Sequence, residues 1–555
     1  MNQVLDEVED ETSQTNEAVG VILHPPGDGD NSDENDDETP CFSNLPRSLL
    51  LSDAETNLEQ QEGQSYVQEP AKKRQKKPKI DWASGALPTP EYQYNRSEIP
   101  FQEDCVDPID FFLTIFDEKI QTFIHEQTNL YSDVNASLNE ILVVIGVLLA
   151  SGVVTQSRRR DYWSSSSLKK NSAIASAISQ KRYEMIFSHL HFMPKDAIPS
   201  NDKFQKVRLL ISLLNKSFLK NAPTTNAFSI DESMIPYFGR HGCKQFIRGK
   251  PIRFGFKVWM AATIDGYCVQ LQPYPGVAEK PGEDYDLSSS GNVIFFFSKI
   301  LSSHFSDQRP ISVTMDNYFS SLPLMQALRE KLGVLSTGTV RRNRIPSFPF
   351  DDKNEKTKER GSMEIYHDSS HGVNLVSWKD NKSVLIASTL HGVDPVGQTQ
   401  RYSRQERKKI AVARPAIVKH YNETMGGVDL HDAHLANCRT SLRGKKWYFP
   451  IFIYLLDVCT VNSWLLYRLS SPTAKAKDYN SFRTEIALCL LKRSERSRNA
   501  QHIPCNSRFD NIGHLVNISD KELRCKQCQK NTKFVCVKCE LHLHPKECFY
   551  AFHIK

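Results

Sequence analysis

Two CxxC pairs, seven residues apart, lie near the C-terminus of this chain, and histidines and a further cysteine flank them. Doubled CxxC spacing is typical of zinc sites, in which four thiolate or imidazole ligands surround each ion. The segment has few large apolar side chains, so metal binding has to supply much of its folding energy. We therefore predict two Zn²⁺ ions and eight ligands: His514, Cys525, Cys528, Cys536, Cys539, His544, Cys548 and His553.

The spacing of these ligands leaves their pairing open. An interleaved arrangement, in which alternate ligand pairs share an ion, is one possibility, and His542 competes with His544 as a ligand. Cys505 lies too far upstream to fit easily. The remaining cysteines are scattered singly, which indicates reduced thiols and not a disulfide framework.

Charge is distributed unevenly along the 555 residues, a length that predicts several domains. The first 70 residues contain 18 Asp and Glu, one basic residue, Arg47, and few large apolar side chains, which predicts a disordered acidic tail. Residues 71–555 contain 69 Lys and Arg against 47 Asp and Glu. This positive excess suits a polyanionic partner such as nucleic acid; solubility is the alternative explanation.

A dense basic cluster, AKKRQKKPK at 71–79, follows the tail. Nuclear import receptors bind clusters of this kind, and a DNA-contacting arm or a solvated linker are the alternatives. The acidic start of the chain lacks a basic region followed by an apolar one, so we expect no secretory signal and a nuclear protein. The basic residues of the cluster are Lys72, Lys73, Arg74, Lys76, Lys77 and Lys79.

Two apolar runs, 141–154 and 447–469, resemble membrane spans only superficially. The first is shorter than the roughly 20 residues that a bilayer requires. The second contains Pro450, Asp457 and Asn462, which are unfavourable in lipid. We predict that both are buried helices and that the protein has no membrane partner.

Hydrophobic periodicity divides the rest of the chain into helical and mixed regions. Apolar residues at three- and four-residue spacing predict helices over about 108–219 and 425–491. Residues 341–420 are charged and polar with short strand-like pieces, and we interpret them as an insertion. A β, β, β, α, β, α, β order precedes it, as a ribonuclease-H-like core would show. Strands are expected at 228–230, 254–263, 267–274, 311–315 and 334–340, and helices at about 292–303 and 322–331.

Three segments place aspartates where a strand is expected to end or a helix to begin: 229–234 (SIDESM), 314–319 (TMDNYF) and 426–432 (GGVDLHD). Phosphodiester chemistry assisted by two Mg²⁺ ions needs only a few convergent carboxylates. Asp429 and Asp432 are three residues apart, so they share a helix face and can reach one metal site. Each segment alone is weak evidence, because aspartates at strand ends and helix starts are common for structural reasons.

Together and in this order, the segments resemble the DDE/DDD transposases of the piggyBac family. The resemblance runs from about residue 105 to the C-terminus. One segment, 237–250, resembles the transposable element-derived subgroup of that family. The segments that carry the family resemblance are 229–232 (SIDE), 248–257 (RGKPIRFGFK), 315–321 (MDNYFSS), 336–341 (STGTVR), 425–432 (MGGVDLHD) and 443–447 (RGKKW).

The resemblance implies a multidomain α+β protein. Its ribonuclease-H-like catalytic core would hold an inserted β-rich domain, with flanking helical dimerisation and DNA-binding regions and a C-terminal cross-brace zinc module. The implied enzyme is a homodimer that hydrolyses double-stranded DNA at transposon terminal repeats, forms a hairpin with the freed 3′-OH and joins the DNA to TTAA targets; no small-molecule substrate is implied. The catalytic aspartates of the family map onto Asp231, Asp316 and Asp429, as ligands of Mg²⁺ or Mn²⁺, with Asp432 assisting.

Basic residues in three segments are candidates for contacts with DNA phosphates, and solvated loop charge is the alternative for each. The single tryptophan among the candidates could stack on a base or pack beneath one. The candidates are Lys244, Arg248, Lys250, Arg253, Arg341, Arg342, Arg344, Arg443, Lys445, Lys446 and Trp447.

Two other functions stay open at this point: a domesticated DNA-binding or chromatin protein without excision activity, and a zinc-bearing adaptor such as a ubiquitin ligase. The four aspartates favour the transposase, because an adaptor would leave them without a role. The expected domains are the tail with its import cluster at 1–98, a helical dimerisation and DNA-binding domain at 99–226, the first part of the core at 227–340, the insertion at 341–420, the end of the core with a helical region at 421–495, and the cysteine-rich domain at 496–555.

Overall fold

The computed structural model describes residues 80–88, 90, 92–95, 105–195, 197–198, 201–247, 250–275, 287–351, 358–404, 406–442, 444–470, 472–494 and 513–553, together with two short N-terminal strands. Those strands, β1 (Val21–Leu23) and β2 (Ala54–Thr56), pair antiparallel within the segment for which disorder is expected. Some residues singled out above lie outside the described residues: Lys72, Lys73, Arg74, Lys76, Lys77, Lys79, Arg248, Arg443 and Cys505.

A ten-stranded mixed sheet forms the centre of the protein. Its middle strand is β4 (Ala227–Pro236), which pairs antiparallel with β6 (Phe254–Thr263) and parallel with β8 (Ile311–Met315). Beyond β8 lies β9 (Val334–Thr339), again parallel. On its other edge β6 pairs antiparallel with β5 (Lys244–Phe246) and β7 (Cys268–Pro273).

The parallel strands β8 and β9 are short and almost entirely buried, as expected where both faces of a parallel sheet are covered. All five residues of β8 are buried. Parallel neighbours need a crossover, which is supplied here by helix α8 (Leu322–Leu332) between β8 and β9. The side chain of Ser321 caps the start of this helix, and Gly333, at a φ of 63°, ends it in the left-handed region. An earlier helix, α7 (Ser289–His304), packs against α8.

The expected insertion at 341–420 adds three strands to the central sheet and forms a separate two-stranded sheet. Strand β12 (Ser383–Ser388) pairs antiparallel with β9, which would otherwise expose an unpaired edge. Strands β11 (Val373–Lys379) and β10 (Met363–Asp368) follow outward. A separate hairpin, β13 (Gly397–Ser403) with β14 (Lys408–Arg414), packs apolar side chains beneath β11.

The two expected helical regions pack together as one helical body. Gly146 allows this contact, because a Cβ there would lie 3.0 Å from the Cβ of Leu490. The fully buried guanidinium of Arg483 ties the two regions together: its Nε donates to the carbonyl of Leu149 in the first region over 3.0 Å, and its Nη1 donates to the carboxylate of Asp457 in the second over 2.8 Å. The helices are α1 (Pro108–Ile115), α2 (Glu118–Tyr131), α3 (Leu138–Val153), α4 (Ser172–Ala177), α5 (Gln180–His189), α6 (Gln205–Lys220), α9 (Ala416–Thr424), α10 (Gly427–Asn437), α11 (Phe449–Ser470), α12 (Pro472–Lys475) and α13 (Tyr479–Leu491).

The apolar helix α11 is long enough to cross a bilayer, but 94% of its most apolar 18-residue window is buried inside the protein. The shorter apolar helix α3 is buried over most of its length as well. Both apolar runs are therefore core helices, as their length and polar residues predicted.

The described residues between 80 and 95, a segment that the sequence assigned to the tail, lie against the folded body. Residues Ala83–Ser84 form strand β3 on the edge of β10. The indole Nε1 of Trp82 donates to the carbonyl of Pro346 over 3.0 Å, and Asn226 Nδ2 donates to the carbonyl of Gln93 over 2.8 Å. Backbone pairing and these side-chain contacts therefore attach part of the segment before residue 99 to the folded body.

Candidate functional site

Asp231 and Asp316 come from neighbouring strands of the central sheet. The parallel register pairs Ile230 with Met315, so the residue that follows each is an aspartate at the same level. Asp231 does not end its strand as expected: β4 continues to Pro236 because β6 goes on pairing with it as far as Gly255. It lies where the parallel neighbour β8 ends, and the residue is 8% exposed.

Helix α10 brings the other two aspartates to this point. It packs closely on the sheet through Gly427, where a Cβ would lie 2.3 Å from the carbonyl oxygen of Thr263. Asp432 is half-buried, and Asp429, in the first turn, has a side chain that is 72% exposed. The second glycine of the GG pair therefore has a packing reason, whereas a Cβ at Gly426 would meet nothing within 4 Å.

Lys250 lies among these carboxylates. Its Nζ donates to the carbonyl of Glu232 over 3.2 Å and lies 3.8 Å from Oδ1 of Asp429. Burial opposes its charge, but the carboxylates of Asp231, Glu232, Asp429 and Asp432 outweigh burial and raise the pKa of Lys250. Lys250 therefore lies in the carboxylate site of this structure, whereas the sequence suggested that it contacts a DNA phosphate.

Tyr421 lies near the same aspartates. Burial, followed by the nearby carboxylates of Asp316, Asp231 and Asp429, raises the pKa of its hydroxyl. The three aspartates that the sequence singled out thus lie near one another. Their carboxylate oxygens are farther apart than the ligand atoms of the cysteine and histidine groups described below.

Three aspartates of this site have raised pKa values, with burial as the largest cause. Burial, followed by the charge of Glu232, raises the pKa of both Asp231 and Asp316. Burial also raises the pKa of Asp432 to about 6. Crowded, buried carboxylates with raised pKa values are stabilised in their charged form by a cation placed between them.

Two residues of the site were not among the expected ones. Glu232 has an Oε2 atom that is buried without a hydrogen-bond partner among the described residues. Nζ of Lys257 lies 4.5 Å from the centre of the Tyr318 ring. Burial lowers the pKa of Lys257, and the carboxylates of Glu232, Asp231 and Asp316 oppose this shift. A single lysine within the otherwise apolar strand β6 was the available sequence signal for Lys257.

The expected DNA-contacting residues are dispersed over several places. Arg253, Arg342 and Lys445 are exposed, and Lys244 is half-buried. Nζ of Lys446 donates to the carbonyl of Leu190 over 3.4 Å. Trp447 packs inward against His241, Phe204 and Phe256, with centroid distances of 4.4, 6.2 and 6.3 Å, so packing describes it better than base stacking. Arg341 and Arg344 contact the turn that follows Asp316.

The eight C-terminal residues form two separate groups, held by β15 (Val516–Arg524), β16 (Asn531–Cys536) and α14 (Glu547–His553). Within each group all ligand atoms lie within 4.8 Å of one another. Sequence-adjacent pairs alternate between the groups, which is the interleaved arrangement. His542 is in neither group, because its Nδ1 lies 2.9 Å from the carbonyl oxygen of Thr532. The groups are His514, Cys536, Cys539 and His553, and Cys525, Cys528, His544 and Cys548.

Comparison with known proteins defines the class to which this fold belongs. The family model described as Transposase IS4 matches residues 107–464. A solved structure also matches: the cryo-EM structure of a piggyBac transposase synaptic complex with hairpin DNA. Its matched chain superposes with a TM-score of 0.59 and is 20% identical in sequence. The match covers 82% of this chain and 100% of that chain. The fold is therefore that of a transposase.

Curated human relatives are similar over nearly the whole length. PiggyBac transposable element-derived protein 2 is 35% identical over 96% of this chain and 93% of its own. PiggyBac transposable element-derived protein 3 is 33% identical over 98% of this chain and 97% of its own. This chain belongs to the piggyBac family of transposases and transposase-derived proteins, as the sequence motifs indicated.

Proposed function

We propose that this protein is a metal-dependent DNA transposase with a ribonuclease-H-like catalytic core. The order of strands supports the core: β4 has the antiparallel strands β6 and β7 on one side and the parallel strands β8 and β9 on the other. The observation that carries the function is the convergence of Asp231 and Asp316, from adjacent strands, with Asp429 from a helix packed on the sheet.

The residues of the site fit a hard divalent cation. They offer carboxylate oxygens, which Mg²⁺ and Mn²⁺ prefer, and the buried Oε2 of Glu232 has no hydrogen-bond partner among the described residues. Asp231, Asp316 and Asp429 would hold the metal. When bound, two such ions supply a nucleophilic oxygen near neutral pH and offset charge on the leaving 3′ oxygen.

Other residues of this chain would position the site and its substrate. Asp432 accepts a hydrogen bond from Ser233 and so ties α10 to β4. The ammonium groups of Lys250 and Lys257 would offset phosphate charge, since both lie beside the carboxylates. The excess of positive charge outside the tail suits DNA, and we propose transposon ends as the substrate and TTAA as the target, with a homodimer as the acting form.

We also propose that the two C-terminal groups bind two Zn²⁺ ions. Each group offers two or three thiolates with one or two imidazoles, the ligand set that favours tetrahedral zinc over a hard cation. The ligands alternate along the chain, so one ion cannot be lost without loosening the segment that holds the other. Nuclear localisation through the basic cluster at 71–79 completes the proposal.

The alternative is a domesticated protein that binds DNA but does not excise it. The names of the two human relatives, both transposable element-derived proteins, favour this alternative. The presence of Asp231, Asp316, Asp429 and Asp432 in one site favours the enzyme.

Cleavage of DNA by aspartate variants distinguishes the two. Purified full-length protein is incubated with Mg²⁺ and DNA that carries the flanking repeats of its own gene. Asp231→Ala, Asp316→Ala and Asp429→Ala should each abolish nicking and retain DNA affinity within about threefold, because they remove metal ligands and not phosphate contacts. Double variants should lose no more than single ones.

Asp307→Ala is the matched control, because Asp307 is an exposed aspartate outside the site. Aspartate variants that nick as well as wild type would refute the catalytic assignment. A wild type that binds the ends with high affinity and never nicks them would support the domesticated alternative.

A further inference from the structure

The turn that follows Asp316 holds the carboxylate of this residue in place. The backbone N–H of Tyr318 donates to Asp316 Oδ1 over 2.9 Å. The carbonyl of Asp316 accepts from the backbone N–H and the hydroxyl of Ser320, over 3.1 and 2.8 Å. The direction of the Asp316 side chain therefore depends on the conformation of residues 316–320.

Arg344 holds this turn from outside. Its Nη1 lies within hydrogen-bonding distance of three carbonyl oxygens of the turn, those of Asn317, Tyr318 and Ser320, at 3.1, 2.9 and 3.0 Å. Its neighbour Arg341 adds a bond from Nε to the side-chain oxygen of Asn317 over 3.2 Å. Three carbonyl oxygens directed at one cationic group indicate a turn whose backbone is shaped around that side chain.

The chemistry of arginine explains why this position suits it. A guanidinium is rigid, always charged and rich in donors, so it can bond several carbonyls without being deprotonated. A lysine ammonium at the end of a flexible stem retains the charge, but it cannot reproduce the planar geometry of the guanidinium. Arg344 is half-buried, and its Nη1 is already engaged with the turn.

We propose that Arg344 is a positioning residue that preorganises Asp316 for the divalent cation, and that this, more than contact with DNA phosphate, is its main role. The inference rests on the proposed metal site. It reassigns a residue whose sequence context, the basic run RRNR at 341–344, suggested a DNA contact. Residues that orient metal ligands without touching the metal typically affect metal affinity by about 10- to 100-fold.

Charge-conserving substitution separates positioning from phosphate contact. We would measure Mn²⁺ affinity by electron paramagnetic resonance in full-length, zinc-loaded protein carrying Arg344→Lys or Arg344→Ala. Both variants should weaken Mn²⁺ binding by about tenfold or more, because both remove the guanidinium from the turn. Amide exchange at residues 318–320 should accelerate in both, while exchange in strand β8 stays slow and shows that the sheet is intact.

Arg342→Ala is the matched control, since the Arg342 guanidinium lies over the Phe348 ring at 4.6 Å and is exposed. It should leave Mn²⁺ affinity unchanged. The salt dependence of DNA binding should be the same in Arg344→Lys as in wild type.

Two outcomes would overturn the inference in distinguishable ways. If wild type binds Mn²⁺ and Arg344→Lys binds it within twofold of wild type, the positioning role is wrong and the proposed metal site stands. If wild type binds no Mn²⁺, or if Asp231→Ala binds as much Mn²⁺ as wild type, the proposed metal site fails and the positioning role fails with it.

Discussion

The hydroxyl of Ser233 donates to Oδ1 of Asp432 over 2.6 Å, and it accepts a hydrogen bond from the hydroxyl of Tyr454 over 2.9 Å. These bonds join the middle strand of the sheet, the helix that carries Asp429 and the buried helix α11. Asp432 is thus coupled to a side chain only two residues from Asp231. The contact explains how a helix remote in sequence is held against the strand.

Removal of the Ser233 hydroxyl should therefore loosen α10. Ser233→Ala leaves a half-buried carboxylate and a buried tyrosine hydroxyl each without a partner, at a cost of about 1–3 kcal/mol in the free energy of unfolding. We expect a lower melting temperature and slower Mg²⁺-dependent nicking, with DNA affinity retained. Ser176→Ala, on the surface of α4, is the control. A melting temperature unchanged by Ser233→Ala would contradict the coupling.

The interleaved grouping predicts which histidine matters at the C-terminus. Full-length protein should contain two Zn²⁺ per chain by elemental analysis. His544→Ala should reduce zinc occupancy of the second group, because its Nδ1 lies 3.4 Å from Cys528 Sγ, and His542→Ala should retain two ions. Equal zinc loss in both histidine variants, or a single ion in wild type, would show that the grouping is wrong.

A buried histidine in the helical body predicts acid sensitivity. His191 is 6% exposed and stacks on Tyr131 at 4.0 Å, and burial, with Lys446 and Lys206 nearby, lowers its pKa to about 4. An unfolded histidine titrates near 6.5, so between about pH 6.5 and 4 the unfolded state binds the extra proton and stability falls as the pH falls.

The variant His191→Phe keeps a ring against Tyr131 and cannot be protonated. Its melting temperature should rise relative to wild type as the pH falls from 7 to 4. A constant difference between the two proteins across this range would exclude His191 as the source of acid sensitivity.

The basic cluster is expected to direct nuclear import. Replacing Lys72, Lys73, Arg74, Lys76, Lys77 and Lys79 by Gln in a full-length fluorescent fusion should shift the protein from the nucleus to the cytoplasm. Replacing an equal number of exposed lysines and arginines in the folded body controls for net charge. Unchanged nuclear accumulation in the cluster variant would refute the assignment.

Local patterns in the sequence were enough to predict the family and the buried helices. They also predicted the eight C-terminal cysteines and histidines that the fold gathers into two groups. Such features follow from short-range spacing: metal ligands recur at fixed intervals, and a long apolar run interrupted by Asp457 and Asn462 favours a protein interior over lipid.

Tertiary structure decided what depends on partners distant in the chain. Strand β4 continues past Asp231 because β6 pairs with it beyond that residue. His544, and not His542, belongs to the second group of cysteines and histidines, because His542 contacts the carbonyl of Thr532. The basic run at 341–344 showed charge but not direction, and only the fold brings Arg344 onto the carbonyls after Asp316. Sequence determines which chemical groups are available, whereas long-range packing decides which of them meet, because a side chain is oriented by all the neighbours that surround it.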